Sequence, residues 1–167
     1  ITAGTIATCV YDILPGGGVS PPVHGLGVPA RHYILSNNHV LANENDAKTG
    51  DAILQPGVFD KGKQPKDLVA KLAEWIDLKP NGANLCDAAI ATIVKGIDAD
   101  VLTYKGIGKL AGVRVDPLAP GMAVSKVGRT AGVTRGLISA VELDKVVIQY
   151  DLGMLSFDDQ VEIETTG

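Results

Sequence analysis

The chain has 167 residues, room for one ordinary domain or for two small barrels. Fifteen Lys and Arg against 19 Asp and Glu give a formal charge of −4, which excludes a protein that gathers nucleic acid or an anionic membrane on a basic face. A hydrophobic fraction of 46% and a mean hydropathy of +0.18 exclude intrinsic disorder, and 20 Gly with 9 Pro exclude a helical bundle.

From Thr5 to Tyr11 the residues are β-branched, aromatic or small, which predicts a strand. Leu14 to Pro22 holds three consecutive glycines and a Pro-Pro pair, and predicts a loop. A second strand, Arg31 to Ser36, is expected to stop at Asn37-Asn38, whose short amide side chains favour a turn. After His39-Val40-Leu41 comes a polar run, Ala42 to Asp51, that reads as a loop or a single helical turn. Asp67 to Lys79 satisfies two patterns: Leu68, Leu72, Trp75 and Ile76 suit a helix, whereas Leu68, Ala70, Leu72, Ile76 and Leu78 nearly suit a strand. Asp87 to Val94 reads as a short apolar strand with Asp87 at its mouth.

Gly96, Gly106, Gly108, Gly112, Pro117, Pro120 and Gly121 mark residues 96–121 as a linker between two halves, 1–95 and 122–167. In the second half, Met122–Val127, Val133–Leu143, Lys145–Tyr150 and Gln160–Glu164 alternate as strands, and Leu143-Asp144-Lys145 is expected to be a tight hairpin. The fold class is therefore all-β in two parts. No apolar run is long enough to span a bilayer, so a soluble domain with no membrane partner is expected. Cys9 and Cys86 lack CxxC spacing; they can pair or stay free as small packing residues.

Two residues carry chemistry. His39 falls where an apolar strand breaks, which would hold its imidazole at a strand end facing a cleft. Asp87, 48 residues later, is a charge at the mouth of an apolar strand, an unusual place unless it has a partner. A carboxylate that accepts the Nδ1 proton of a histidine fixes the tautomer and stabilises the imidazolium formed when Nε2 takes a proton. His24 and His32 have no such context, and no HxH or HExxH spacing supports a zinc site. Asn43, Asn45, Asp46 and Asp51 lack calcium-loop spacing, and Gly128, Gly132 and Gly136 lack the Gly-Lys-Ser/Thr of a phosphate loop. No cofactor is expected.

Tyr33-Ile34-Leu35-Ser36-Asn37-Asn38-His39-Val40-Leu41-Ala42-Asn43 resembles the catalytic-histidine block of bacterial trypsin-like serine peptidases of the chymotrypsin fold. Cys86-Asp87-Ala88-Ala89-Ile90-Ala91 is similar to that family's catalytic-aspartate block, and Val127 to Gly136 to its Gly-Arg-Thr-x-Gly hairpin. The resemblance implies a double antiparallel β-barrel with its second barrel incomplete in this chain, His39 and Asp87 as catalytic residues, and a peptide or protein substrate. It also implies a nucleophile in a Gly-Asp-Ser-Gly block. None of the five serines, Ser20, Ser36, Ser125, Ser139 and Ser156, is flanked by glycine. The expectation is a serine endopeptidase whose nucleophile lies beyond Gly167, on a C-terminal segment of the same parent protein. The alternative is a pseudopeptidase or peptide-binding scaffold. Ile1-Thr2-Ala3-Gly4 superficially resembles the Ile-led terminus of activated trypsin-type zymogens, but the equivalent stretch of the bacterial branch is internal, so Ile1 is read as a processing boundary.

Overall fold

The computed structural model describes residues 3–11, 32–100 and 102–166. Ile1, the Leu14–Pro22 loop with Ser20, His24 and Gly167 lie outside the described residues. The chain divides into two compact units, one of Ile1–Asp77 with Asp87–Leu102 and one of Leu78–Cys86 with Thr103–Gly167.

The first unit is built on β1 (Thr8–Tyr11), β2 (His32–Ser36), α1 (Asn38–Leu41), β3 (Ala52–Leu54), a 3-10 turn (Val58–Asp60) and β4 (Leu68–Trp75). Beyond β5 (Ala83–Asn84), which belongs to the second unit, comes β6 (Ala89–Ile93). Its five-stranded sheet has the order β1-β2-β6-β4-β3, and every neighbouring pair is antiparallel. Strand β2 alternates as a half-buried strand should, with His32, Ile34 and Ser36 buried. Across the sheet Ile34 pairs with Ala91, and Ala91 with Leu72, so a small residue lies between two large ones in one buried row.

Strand β4 resolves the double pattern of residues 67–79. Leu72 pairs with Ala91 and Trp75 with Ala89, and a bulge between Leu72 and Glu74 absorbs the extra residue. The bulge turns Leu72 and Trp75 to the same face although they are three apart, which imitates helical spacing within a strand. Both pack in the core with Ile34, Leu41, Ala42, Ala70, Ala89 and Ala91.

The second unit contains β5, β7 (Thr103–Tyr104), β8 (Gly108–Lys109), β9 (Ala123–Gly128), β10 (Gly132–Leu143), β11 (Val146–Tyr150), β12 (Gly153–Phe157) and β13 (Gln160–Thr165). Strands β9 and β10 form the hairpin of the Gly-Arg-Thr-x-Gly segment, with Gly128 opposite Gly132 and Gly132 at φ +63°. Strand β10 also pairs with β13, and Gly136 permits the approach: a Cβ there would lie 2.5 Å from the Glu164 carbonyl oxygen. A second sheet has the order β11-β12-β5, with β12 and β5 parallel. Buried Asn84 ties β5 to β12, its Nδ2 donating to Ser156 O at 3.1 Å and to Lys79 O at 3.1 Å. Leu78, Leu155 and Phe157 form the small core, with Tyr150 stacked on Phe157 at 5.9 Å.

The all-β class is present as several antiparallel sheets. Among the described residues none closes into a barrel. The expected hairpin at Asp144 is corrected: β10 and β11 belong to different sheets. The physical reason lies in the backbone, where Glu142 and Lys145 both take positive φ and turn the chain out of the first sheet into the second.

Candidate active site

Strand β2 ends at Ser36, and Asn37, still extended at φ −75°, ψ 153°, leads directly into the one-turn helix α1. The turn closes through Leu41 N donating to Asn37 O at 3.0 Å and Ala42 N donating to Asn38 O at 2.7 Å. Asn38 and Leu41, three apart and so on one face, are both buried. That leaves His39 on a different side of the turn, 36% exposed. The histidine thus stands on a helical turn just past the strand end where the sequence alone placed it.

Asp87 lies two residues before β6, and its side chain is only 7% exposed. The carboxylate faces His39 with both oxygens. Oδ2 meets the ring Nδ1 in a hydrogen bond, and Oδ1 accepts from the His39 backbone N–H at 3.2 Å. Asn37 Nδ2 donates to Asp87 O at 3.0 Å, so main chain and side chain of Asp87 are both held by the segment that carries His39. A buried carboxylate is stable only with such partners. With Nδ1–H donating to the carboxylate, the neutral ring carries its lone pair on Nε2, the atom that takes a proton in general-base chemistry.

The structure therefore brings His39 and Asp87 together within one unit. Of the serines, Ser36 lies in the same unit and donates its hydroxyl to Thr5 O at 2.8 Å. Ser139 donates to Glu162 Oε2 at 2.7 Å, and Ser125 and Ser156 stand on β9 and β12 of the other unit. His32 is buried on β2 with its ring edge-on to Tyr11 at 6.3 Å, and among the described residues neither ring nitrogen has a hydrogen-bond partner. Within the polar run 43–51, Lys48 N donates to Asp51 Oδ2 at 2.9 Å and Thr49 Oγ1 donates to Ala73 O on β4 at 3.2 Å.

Both cysteines are free thiols. Cys9 is half-buried against the core, and burial pushes its thiol pKa up. Cys86, expected to be a packing residue beside Asp87, is instead exposed. The sequence reading missed the part played by the Asn-Asn pair. Two adjacent amides immediately before a histidine mark side chains able to donate to carbonyls, but their partners, Asp87 O and Ile76 O, come within reach only in the fold. No protein-family model matches the chain, and no curated protein matches it.

Proposed function

We propose that this chain carries the acid–base half of a trypsin-like serine endopeptidase with a chymotrypsin-like double barrel, and that the nucleophilic serine is supplied by sequence beyond Gly167. The observation that carries the reading is the contact of His39 Nδ1 with the largely buried carboxylate of Asp87, reinforced by the His39 N–H on the other oxygen. The resemblance of the histidine, aspartate and Gly-Arg-Thr-x-Gly segments to that family supports it.

In this reading His39 Nε2 removes the serine proton as the hydroxyl attacks the scissile carbonyl of a peptide or protein substrate. The imidazolium then returns that proton to the leaving amine. Asp87 stays ionised throughout, holding the tautomer and stabilising the charged ring. The oxyanion donors belong to the nucleophile block.

The test is fluorophosphonate labelling of the native protein purified from its source, followed by intact-mass and peptide mapping. The expected result is one label on a serine flanked as Gly-Asp-Ser-Gly, lost in the His39→Ala variant. An unlabelled protein with no such segment associated with it would overturn the peptidase reading and leave a peptide-binding scaffold.

A further inference from the structure

Asn38 is fully buried, and its carboxamide is used on both sides. Nδ2 donates to Ile76 O at 2.8 Å and to Asn45 Oδ1 at 2.7 Å, which spends both amide protons, while Oδ1 accepts from Asn45 N at 3.1 Å. Ile76 in turn donates its N–H to Ala88 O at 2.9 Å, and Ala88 is the residue next to Asp87. The helical turn that carries His39 is thus fastened to the strand segment packed beside the aspartate. On the other flank, Asn37 holds the Asp87 carbonyl directly.

We infer that Asn38 is a positioning residue for the His39–Asp87 pair, locking α1 onto the end of β4 so that the imidazole meets the carboxylate without reorganisation. A one-turn helix has too few internal hydrogen bonds to hold its own orientation, so an external tie must fix it. Leu41 and Ala42 bury apolar surface, but such contacts are not directional; the three hydrogen bonds of Asn38 are. The segment that receives two of them is demanding in its own right. Asn43, Glu44 and Asn45 follow one another at φ 48°, 53° and 75°, left-handed values that persist where surrounding bonds determine them. Asn45 meets Asn38 with both its backbone N–H and its side-chain oxygen, so the loop and the helical turn fix each other. Asp at position 38 would keep the shape but turn a donor into an acceptor against two acceptors, the Ile76 carbonyl and Asn45 Oδ1.

The inference rests on the His39–Asp87 pair of the proposed function, and its test reads that pair without needing turnover. The low-field proton resonance of His39 Nδ1–H, bonded to Asp87, and its exchange with solvent report how firmly the two groups are held. Asn38→Ala is expected to speed that exchange by about tenfold or more, the equivalent of one buried hydrogen bond lost. Asn45→Ala takes away the side-chain acceptor of Asn38 Nδ2 and strains the backbone at φ 75°, but keeps the Asn45 backbone N–H and the Ile76 tie, and is expected to give the same effect in smaller degree in a chain that still folds cooperatively. Asn45→Asp keeps an oxygen for Asn38 Nδ2 and tolerates the left-handed backbone, so it should retain the slow exchange of the native protein. Wild-type exchange in both Asn38→Ala and Asn45→Ala, with cooperative unfolding intact, would overturn the inference. An unlabelled serine in the fluorophosphonate experiment would sink the peptidase reading but leave these exchange rates untouched.

Discussion

The two units use their apolar residues differently. In the first, Ile34, Leu72 and Ala91 share one buried row, and Leu41 and Ala42 bring the helical turn down onto the same core. In the second, the fully buried apolar cluster shrinks to Leu78, Leu155 and Phe157, while Val113 and Val115 are 91% exposed and Met154 59%. His39 and Asp87, joined by side chain and main chain together, stand on the better-packed unit. Close packing resists displacement, so side chains mounted on it keep their mutual geometry.

Substitutions in each unit put that contrast to the test. The largest effect on stability is expected for Leu72→Ala, which empties the middle of the first unit's core and should cost about 2–5 kcal/mol in denaturant unfolding. Gly136→Ala acts in the second unit by forcing a Cβ to within 2.5 Å of the Glu164 carbonyl oxygen, so β10 and β13 must separate. A loss of about 1–3 kcal/mol is expected, read from the same unfolding curves. The two thiols offer a milder contrast under alkylation at pH 8. Cys9, whose pKa burial raises, holds less thiolate at that pH, and should react about tenfold more slowly than exposed Cys86. Smallest of all, Val115→Ser should change stability by less than about 0.5 kcal/mol, because the side chain already stands in water. A larger loss there would mean that the 107–118 segment buries surface in solution.

Much of this arrangement was legible in the sequence, and the exceptions have physical causes. The strands of the first unit are short stretches whose pattern survives reading because one face is core; β2 and β6 fall inside the expected spans. β4 was ambiguous because its bulge puts Leu72 and Trp75 on one face at a helical interval, information held by pairing partners and not by the strand itself. β12 escaped notice because a turn at Asp151-Leu152 separates it from β11, and its run Gly153–Phe157 is too short and too mixed to stand out. At Asp144 a hairpin signal was present in the local residues, yet the backbone leaves one sheet for another, a choice set by β13 and β12 pairing elsewhere. The pairing of His39 with Asp87 was legible as a candidate, and the two side chains meet. The amide ties behind them were not, since Ile76 and Asn45 become neighbours of Asn38 only once β4 and the left-handed loop have formed.

The proposed function requires that Asp87 set His39 up as a base for a serine nucleophile. The most direct measurement is the rate of fluorophosphonate labelling of the native protein beside its Asp87→Asn variant, at a pH where the native rate is maximal. Asn keeps the size of the side chain but favours the wrong imidazole tautomer, and the rate should fall by about 10⁴-fold. Equal rates in the two proteins would overturn that function.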